Sequence, residues 1–132
     1  MGTDATGNRK IKGLHQDTVR LVAKIIELKE KPSVPIGEIG KDAFGNTPKF
    51  KNKGIRKRAI SALGRQDVPL EGLISEDNNI EILGASSDHL LLDVTDFNDN
   101  FYISKELAFK INYIEMLSLT TSEYIKKVCV YV

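Results

Sequence analysis

The sequence predicts a mainly β protein, folded as an antiparallel barrel or sandwich. In the second half of the chain, short segments alternate apolar and polar residues, as strands with one buried face do. Turn-forming Gly, Pro, Asn and Asp residues separate these segments at regular intervals, a pattern typical of antiparallel sheets. With 132 residues, the chain is long enough for one domain with a single core.

The first half of the chain carries one long strand. Residues 1 to 12 are expected to be a flexible lead-in, because the first ten are polar and show no hydrophobic period. Residues 18 to 30 fit both a helical stripe and a strand, but their β-branched content favours a long strand that stops at Lys31-Pro32. Frequent Gly and Pro from Ser33 to Gly54 indicate a looped excursion with short strands.

The second half is predicted to contain a series of short strands and one helical segment. The strands are expected at residues 55–63, 79–83, 89–95 and 107–113, and a last strand at 125–132 closes the chain. Residues Ile114 to Thr121 are expected to form one or two helical turns between the last two strands. The β domain as a whole is assigned to residues 13–132.

Composition excludes several classes of protein. The net charge of +1 gives no global field that would attract nucleic acid or a membrane surface. No apolar run approaches the ~20 residues of a membrane helix, and the amino terminus lacks the pattern of a secretory signal. The single cysteine, Cys129, fits a reducing cytoplasmic compartment. Two histidines and one cysteine, widely separated, cannot make a typical zinc site, so no metal is expected.

The most informative segment is the turn Ser86-Ser87-Asp88-His89, which leads into an apolar strand. Polar groups in such a place are either a hydrogen-bonded scaffold or part of a binding site. A hydrolytic triad is disfavoured, because consecutive residues on a strand point to opposite faces and no Gly-x-Ser-x-Gly elbow is present. Two interpretations stay open, a Ser or Asx turn that satisfies backbone amides and a ligand-binding turn.

A second polar segment follows the strand at residues 55–63. The chain breaks at Gly64 and then presents Arg65, Gln66 and Asp67, three polar side chains at the rim of a sheet, where sites are often built. The alternative is a surface turn with an Arg65–Asp67 contact, which stabilises little in water.

Residues 49–58 hold six cations and the aromatic Phe50, so a strand that binds single-stranded nucleic acid is the alternative function. The balanced net charge and the lone aromatic favour a solvated hairpin instead.

Three stretches of the chain resemble the C-terminal domain of the alanine racemase family. Residues 84–96 are similar to its Gly-…-Met-Asp-Gln-…-Asp-Val-Thr stretch, and residues 58–67 resemble the strand leading into Gly-Tyr-Ala-Asp-Gly. Residues 34–40 look like its Val-x-Tyr-Gly loop. The amino-acid sequence at residues 27–40 and 64–68 is most similar to that of the alanine/ornithine racemase subgroup. The resemblance runs in consistent order from about Gly13 to Val132.

The resemblance implies a Greek-key antiparallel β barrel that belongs to a fold-type III, pyridoxal-phosphate-dependent amino acid racemase. The family's cofactor and its Schiff-base lysine belong to an N-terminal (β/α)8 barrel, for which this chain has no candidate segment. Residues 1–12 are then expected to be the remnant of the link to that barrel. The resemblance also implies that the full-length enzyme is a homodimer and acts on a small amino acid. The fragment alone is expected to bind no cofactor and to have no activity. A pure dimerisation module is a third interpretation.

The resemblance also implies roles for individual residues. The family's second base is a tyrosine, and its position is occupied by Arg65, so the catalytic residues stay unassigned, with Tyr113 and Tyr124 as alternatives. Arg65, Asp67, Ser87 and Asp88 are the expected substrate-binding residues, and an acid such as Asp88 or Asp67 would favour a cationic substrate side chain. Tyr113 is expected to contact the cofactor phosphate.

Overall fold

The computed structural model describes residues 9–34 and 51–131. These residues form a mainly β domain, as predicted, with six strands and one short helix. The elements are β1 (Arg20–Pro32), β2 (Ile55–Ser61), β3 (Ile74–Ser75), β4 (Glu81–Ala85), β5 (Leu90–Asp93), β6 (Glu106–Lys110) and α1 (Tyr113–Thr121).

The strands form one antiparallel sheet in the order β3-β6-β1-β2-β5-β4. Strand β1 pairs with β6 through its first half and with β2 through its second half. A register shift between Ile25 and Glu27 separates the two halves. Such a bulge bends a strand and increases its twist, which lets β1 serve both sides of the sheet. The edge strands β3 and β4 approach each other, so the sheet is a nearly closed barrel.

The barrel interior is apolar, and the first half of β1 shows the alternation of buried and exposed residues most clearly. On β1, Leu21, Ala23 and Ile25 are buried while the residues between them are exposed. Phe109 of β6 is the largest fully buried side chain. The remaining core members are Ala59, Leu63, Val68, Leu73, Ile80, Leu90, Leu92, Val94, Leu107, Ile111 and Leu119.

Most predicted elements are confirmed with shifted ends. The ambiguous segment 18–30 is the long strand β1, and the strands expected at 55–63, 79–83, 89–95 and 107–113 correspond to β2, β4, β5 and β6. The helical segment expected at 114–121 is α1. Strand β3 was not predicted, because two residues are too few to show a period.

The strand predicted at residues 125–132 is wrong for the residues that the structure describes, 125–131. These residues pair with no strand, and Val128 and Val130 are exposed. Alternation alone does not make a strand, because an isolated strand leaves its backbone groups without partners in the chain. Residues 125–131 could have paired with an edge strand of the sheet, β3 or β4. These two strands approach each other where the sheet nearly closes.

Several predictions fall on residues outside the described part of the chain. They are the first eight residues of the lead-in, most of the looped excursion of 33–54 including the 35–40 loop, and Lys49 and Phe50 of the basic segment.

Candidate functional site

Two turns that are distant in the sequence lie against each other at one end of the barrel. The first is Gly64–Asp67, which follows β2, and the second is Ser86–His89, which joins β4 to β5; we call them the paired turns. The backbone amide of Arg65 donates to the carbonyl of Ser86 at 2.9 Å. The amide of Gln66 donates to the carbonyl of Ser87, also at 2.9 Å. The two segments singled out in the sequence therefore form one unit.

The Ser86–His89 turn is closed by its own polar groups. The Ser86 amide donates to the His89 carbonyl at 2.9 Å, and the His89 amide donates to the Ser86 hydroxyl at 3.1 Å. This side-chain bond to a nearby backbone amide is a Ser turn, one of the two interpretations that the sequence left open. The four turn residues are exposed, so the scaffold leaves its side chains open to solvent.

The carboxylate of Asp88 is held by three neighbours in the turn, all on its Oδ1 atom. The hydroxyls of Ser86 and Ser87 donate to Oδ1 at 3.1 and 3.2 Å, and Nδ1 of His89 lies 3.0 Å from it. The Ser86 hydroxyl is the largest cause that holds the pKa of Asp88 below its ordinary value, and His89 and Ser87 act in the same direction. Asp88 is therefore an oriented anion at neutral pH.

The turn does not have the geometry of a hydrolytic triad, as expected. A triad requires the imidazole between the acid and the hydroxyl. Here the Asp88 carboxylate stands in the middle, since it accepts from both hydroxyls and also contacts the imidazole of His89.

Arg65 and Asp67 have different surroundings in the first turn. Arg65 is exposed, and its Nε donates to the carbonyl of Ala85 at 3.3 Å, next to the second turn. Asp67 is buried, and its Oδ1 accepts from the Ser122 hydroxyl at 3.0 Å. The Asp67 carbonyl accepts from the Ser118 hydroxyl at 2.8 Å. Asp67 thus ties the first turn to the C-terminal end of α1, while its predicted contact with substrate stays a prediction.

Tyr113 lies at the other end of α1. It is the first residue of the helix and is 62% exposed. The helix of nine residues is roughly 14 Å long by its rise per residue. The buried carboxylate of Glu115 fixes this end, because it accepts from the amides of Gly72 at 3.0 Å and Asn112 at 3.1 Å. The structure therefore brings Arg65, Ser87 and Asp88 into one unit and places Tyr113 apart from it.

Two cavities flank the paired turns. One, of about 310 Å³, is mainly apolar and is lined by Ile60, Gly84, Ala85, Ser86, His89 and Leu91. The other, of about 450 Å³, is lined by Gln66, Ser118, Thr121, Ser122, Glu123 and Tyr124. Neither cavity was predicted from the sequence. One signal in the sequence could have indicated the apolar cavity. Ala59 and Leu92 are buried, so their neighbours Ile60 and Leu91, which pair with each other, lie on the outer face of the sheet as an apolar pair.

The described part of the basic segment is largely engaged within the chain. Lys53 forms an ion pair with Glu81 at 3.1 Å, and Arg56 contacts both Asp93 at 2.9 Å and Asp96 at 2.8 Å. No observation on the described residues or on relatives supports the nucleic-acid alternative.

Over residues 9–34 and 51–131, no three His, Cys, Asp or Glu side chains cluster as a metal site. In the same ranges, no helix has the length and apolar character needed to span a membrane.

The chain is similar to two curated enzymes over nearly its whole length. It is 49% identical over 127 residues to an ornithine racemase of Acetoanaerobium sticklandii, and the match covers 96% of this chain and 36% of the relative. It is 48% identical over 128 residues to a lysine racemase of Thermotoga maritima, covering 97% of this chain and again 36% of the relative. No protein-family model matches the chain.

The described residues form a nearly closed antiparallel β barrel with two polar turns packed together at one end. The two matches identify the class of domain: the chain is homologous to the C-terminal domain of alanine racemase-like enzymes. It spans about a third of the length of the racemases that it matches.

Proposed function

We propose that the chain is part of a pyridoxal-phosphate-dependent racemase that acts on a basic amino acid, and that the paired turns are its contribution to the active site. The observation that carries the proposal is the near 50% identity to an ornithine racemase and a lysine racemase. The paired turns support it, because they present the guanidinium of Arg65 and the carboxylate of Asp88 from adjoining segments. These two charges complement the carboxylate and the side-chain ammonium of a diamino acid.

Racemisation removes a proton from one face of the α-carbon and returns one to the opposite face, so acid–base groups must flank that carbon. Arg65 is unsuited to this work, because a guanidinium stays protonated in proteins; a role in binding the substrate carboxylate suits it. Of the two candidate tyrosines, Tyr124 lines the cavity that also includes Gln66, beside Arg65. We therefore assign the acid–base role to Tyr124.

The phenol of Tyr113 is exposed at the N-terminal end of α1, where its hydroxyl is available to donate a hydrogen bond to a phosphate group. Tyr113 would donate its hydroxyl to the phosphate of the cofactor. When bound, pyridoxal phosphate delocalises the charge left on the α-carbon.

The proposal assigns the remaining parts of the active site to polypeptide outside this chain. The resemblance to the alanine racemase family is the ground for assigning the lysine that holds the cofactor to a (β/α)8 barrel domain. In the same proposal, the paired turns complete the site of the partner subunit in a homodimer. The isolated chain is then inactive, and the parent enzyme works in the cytoplasm.

The test is to express the parent polypeptide with this chain joined to its preceding domain and to measure racemisation of ornithine, lysine and alanine by chiral chromatography. We expect racemisation that requires pyridoxal phosphate and that is absent from the isolated chain. Tyr124→Phe should lower kcat with little change in KM, whereas Tyr113→Phe should raise the concentration of cofactor needed for half-maximal activity. No racemisation of any amino acid by the loaded parent enzyme would overturn the proposal.

A further inference from the structure

The cavity of about 310 Å³ is an apolar groove on the outer face of the barrel. Ile60 of β2 lies opposite Leu91 of β5 in the strand register, and Gly84 of β4 lies opposite Leu91 on the other side. Three neighbouring strands thus form the floor of the groove. Its volume falls at the lower end of the roughly 300–1,000 Å³ typical of small-molecule pockets.

The oriented carboxylate of Asp88 is held by two residues that line this groove. They are Ser86 and His89, whose Oγ and Nδ1 atoms lie 3.1 and 3.0 Å from Asp88 Oδ1. The side chain of Asp88 is about half exposed, at 55%. A fixed negative charge therefore adjoins the lining of an apolar groove.

We propose that this groove and Asp88 recognise the side chain of a diamino acid, with its methylene chain against Ile60 and Leu91 and its terminal ammonium on the Asp88 carboxylate. Asp88 is then the specificity-determining residue of the site. The inference rests on the proposed racemase function and adds which atoms select the substrate class.

The charge pattern selects against neutral substrates as well as for basic ones. An ammonium group on the carboxylate forms a charge-assisted hydrogen bond, which is about twice as strong as a neutral one. An apolar side chain of the same length would fill the groove but would displace water from the carboxylate without offering it an opposite charge, and the loss of water from a charged group is costly. The expected preference is therefore for ornithine and lysine over norvaline and norleucine.

The experiment is a comparison of substrates in the full-length parent enzyme. Wild type, Asp88→Asn, Asp88→Glu and Asp99→Asn are assayed on lysine and norleucine, which have the same carbon skeleton. Asp99→Asn is the matched control, because Asp99 is also an exposed carboxylate with a hydrogen-bond donor on it, Lys105, in a segment between β5 and β6. Thermal unfolding of each variant checks that the domain still folds.

We expect Asp88→Asn to raise KM for lysine about tenfold or more, the loss of one charged hydrogen bond, with KM for norleucine unchanged or lower. Asp88→Glu should recover part of the preference, and Asp99→Asn should keep all of it. Equal loss on both substrates, or an unchanged lysine preference in Asp88→Asn, overturns the inference while leaving the racemase function intact. Absence of racemisation by the wild type on every amino acid overturns the proposed function and the inference together.

If Asp88→Asn does not fold, the wild type and Ser87→Ala decide the matter. Lysine favoured over norleucine by KM, with Ser87→Ala weakening that preference, supports the inference. Equal KM values for lysine and norleucine in the wild type overturn it.

Discussion

Gly64 and Ser87 lie in backbone contact. A β-carbon built on Gly64 would come within 2.2 Å of the Ser87 carbonyl oxygen and 2.3 Å of the Asp88 amide nitrogen. Both obstructing atoms are backbone, so no side chain can rotate away. The absence of a side chain at residue 64 is what allows the paired turns to exchange hydrogen bonds.

We expect Gly64→Ala to lower the free energy of unfolding by about 1–3 kcal/mol, as overpacking in a closed space does. The amide resonances of Ser87 and His89 should move with it. The control is Gly54→Asn, because Gly54 has a φ of +75° with open space around it and asparagine tolerates this region. Unchanged stability and unchanged turn resonances in Gly64→Ala would show that the contact between the two turns is not tight.

The acidity of Asp88 provides a second prediction. Its pKa lies below the ordinary value mainly because of the Ser86 hydroxyl, with smaller help from Ser87. Ser86→Ala and Ser87→Ala should therefore both raise the pKa of Asp88, and Ser86→Ala should raise it more. NMR titration of the side-chain carboxyl carbons measures both. Asp99, whose pKa is lowered by Lys105, serves as the internal reference and should keep its value in both variants. A fall in the pKa of Asp88 in either variant would contradict the geometry of the turn.

Stability at acid pH should depend on Asp93. Burial acts to raise the pKa of this carboxyl, but the hydrogen bonds from Arg56 and Thr95 together outweigh it, so the pKa lies below its ordinary value. A carboxyl with a lower pKa in the folded state stabilises the fold above its unfolded pKa, which is about 4. That stabilisation is lost as the pH falls through the folded pKa.

We expect Asp93→Asn to reduce stability at neutral pH by about 1–3 kcal/mol and to flatten the loss of stability below about pH 4. Urea unfolding between acid and neutral pH measures both effects. Asp96→Asn is the control, because Asp96 binds the same Arg56 from an exposed position and should matter less. The same acid slope in Asp93→Asn as in wild type would refute the assignment.

The buried carboxylate of Glu115 should contribute as much to the free energy of unfolding as a core residue does. It is 2% exposed, and its two oxygens accept from the amides of Gly72 and Asn112. Glu115→Gln replaces one acceptor by a donor that faces an N–H group, so we expect a loss of about 1–3 kcal/mol in the free energy of unfolding. The neighbouring exposed Glu71→Gln should change stability by less than about 0.5 kcal/mol. Equal effects of the two substitutions in urea unfolding would contradict this role.

The chain's strands could be predicted where their signal is local. The alternation of Leu21, Ala23 and Ile25 identifies β1, because the burial of neighbouring residues on one strand repeats every two residues. The same reasoning is wrong for residues 125–131, because pairing depends on an unoccupied sheet edge elsewhere in the fold. Strand β3 exists only because Ile74 and Ser75 lie beside β6. Its two residues carry no pattern of their own.

For the site, the chemistry of each turn follows from its own residues: small hydroxyls beside an acid form a hydrogen-bonded turn, and a glycine followed by polar residues ends a strand. That the two turns form one unit follows from the fold. The antiparallel register of β2, β5 and β4 sets Arg65 beside Ser86, and the missing side chain of Gly64 lets the backbones touch. The folded chain also brings the Asp67 carboxylate to the Ser122 hydroxyl and sets Asp88 against Ser86 and His89, two residues that line the groove. Side-chain chemistry is a local property, whereas proximity follows from how strands pair.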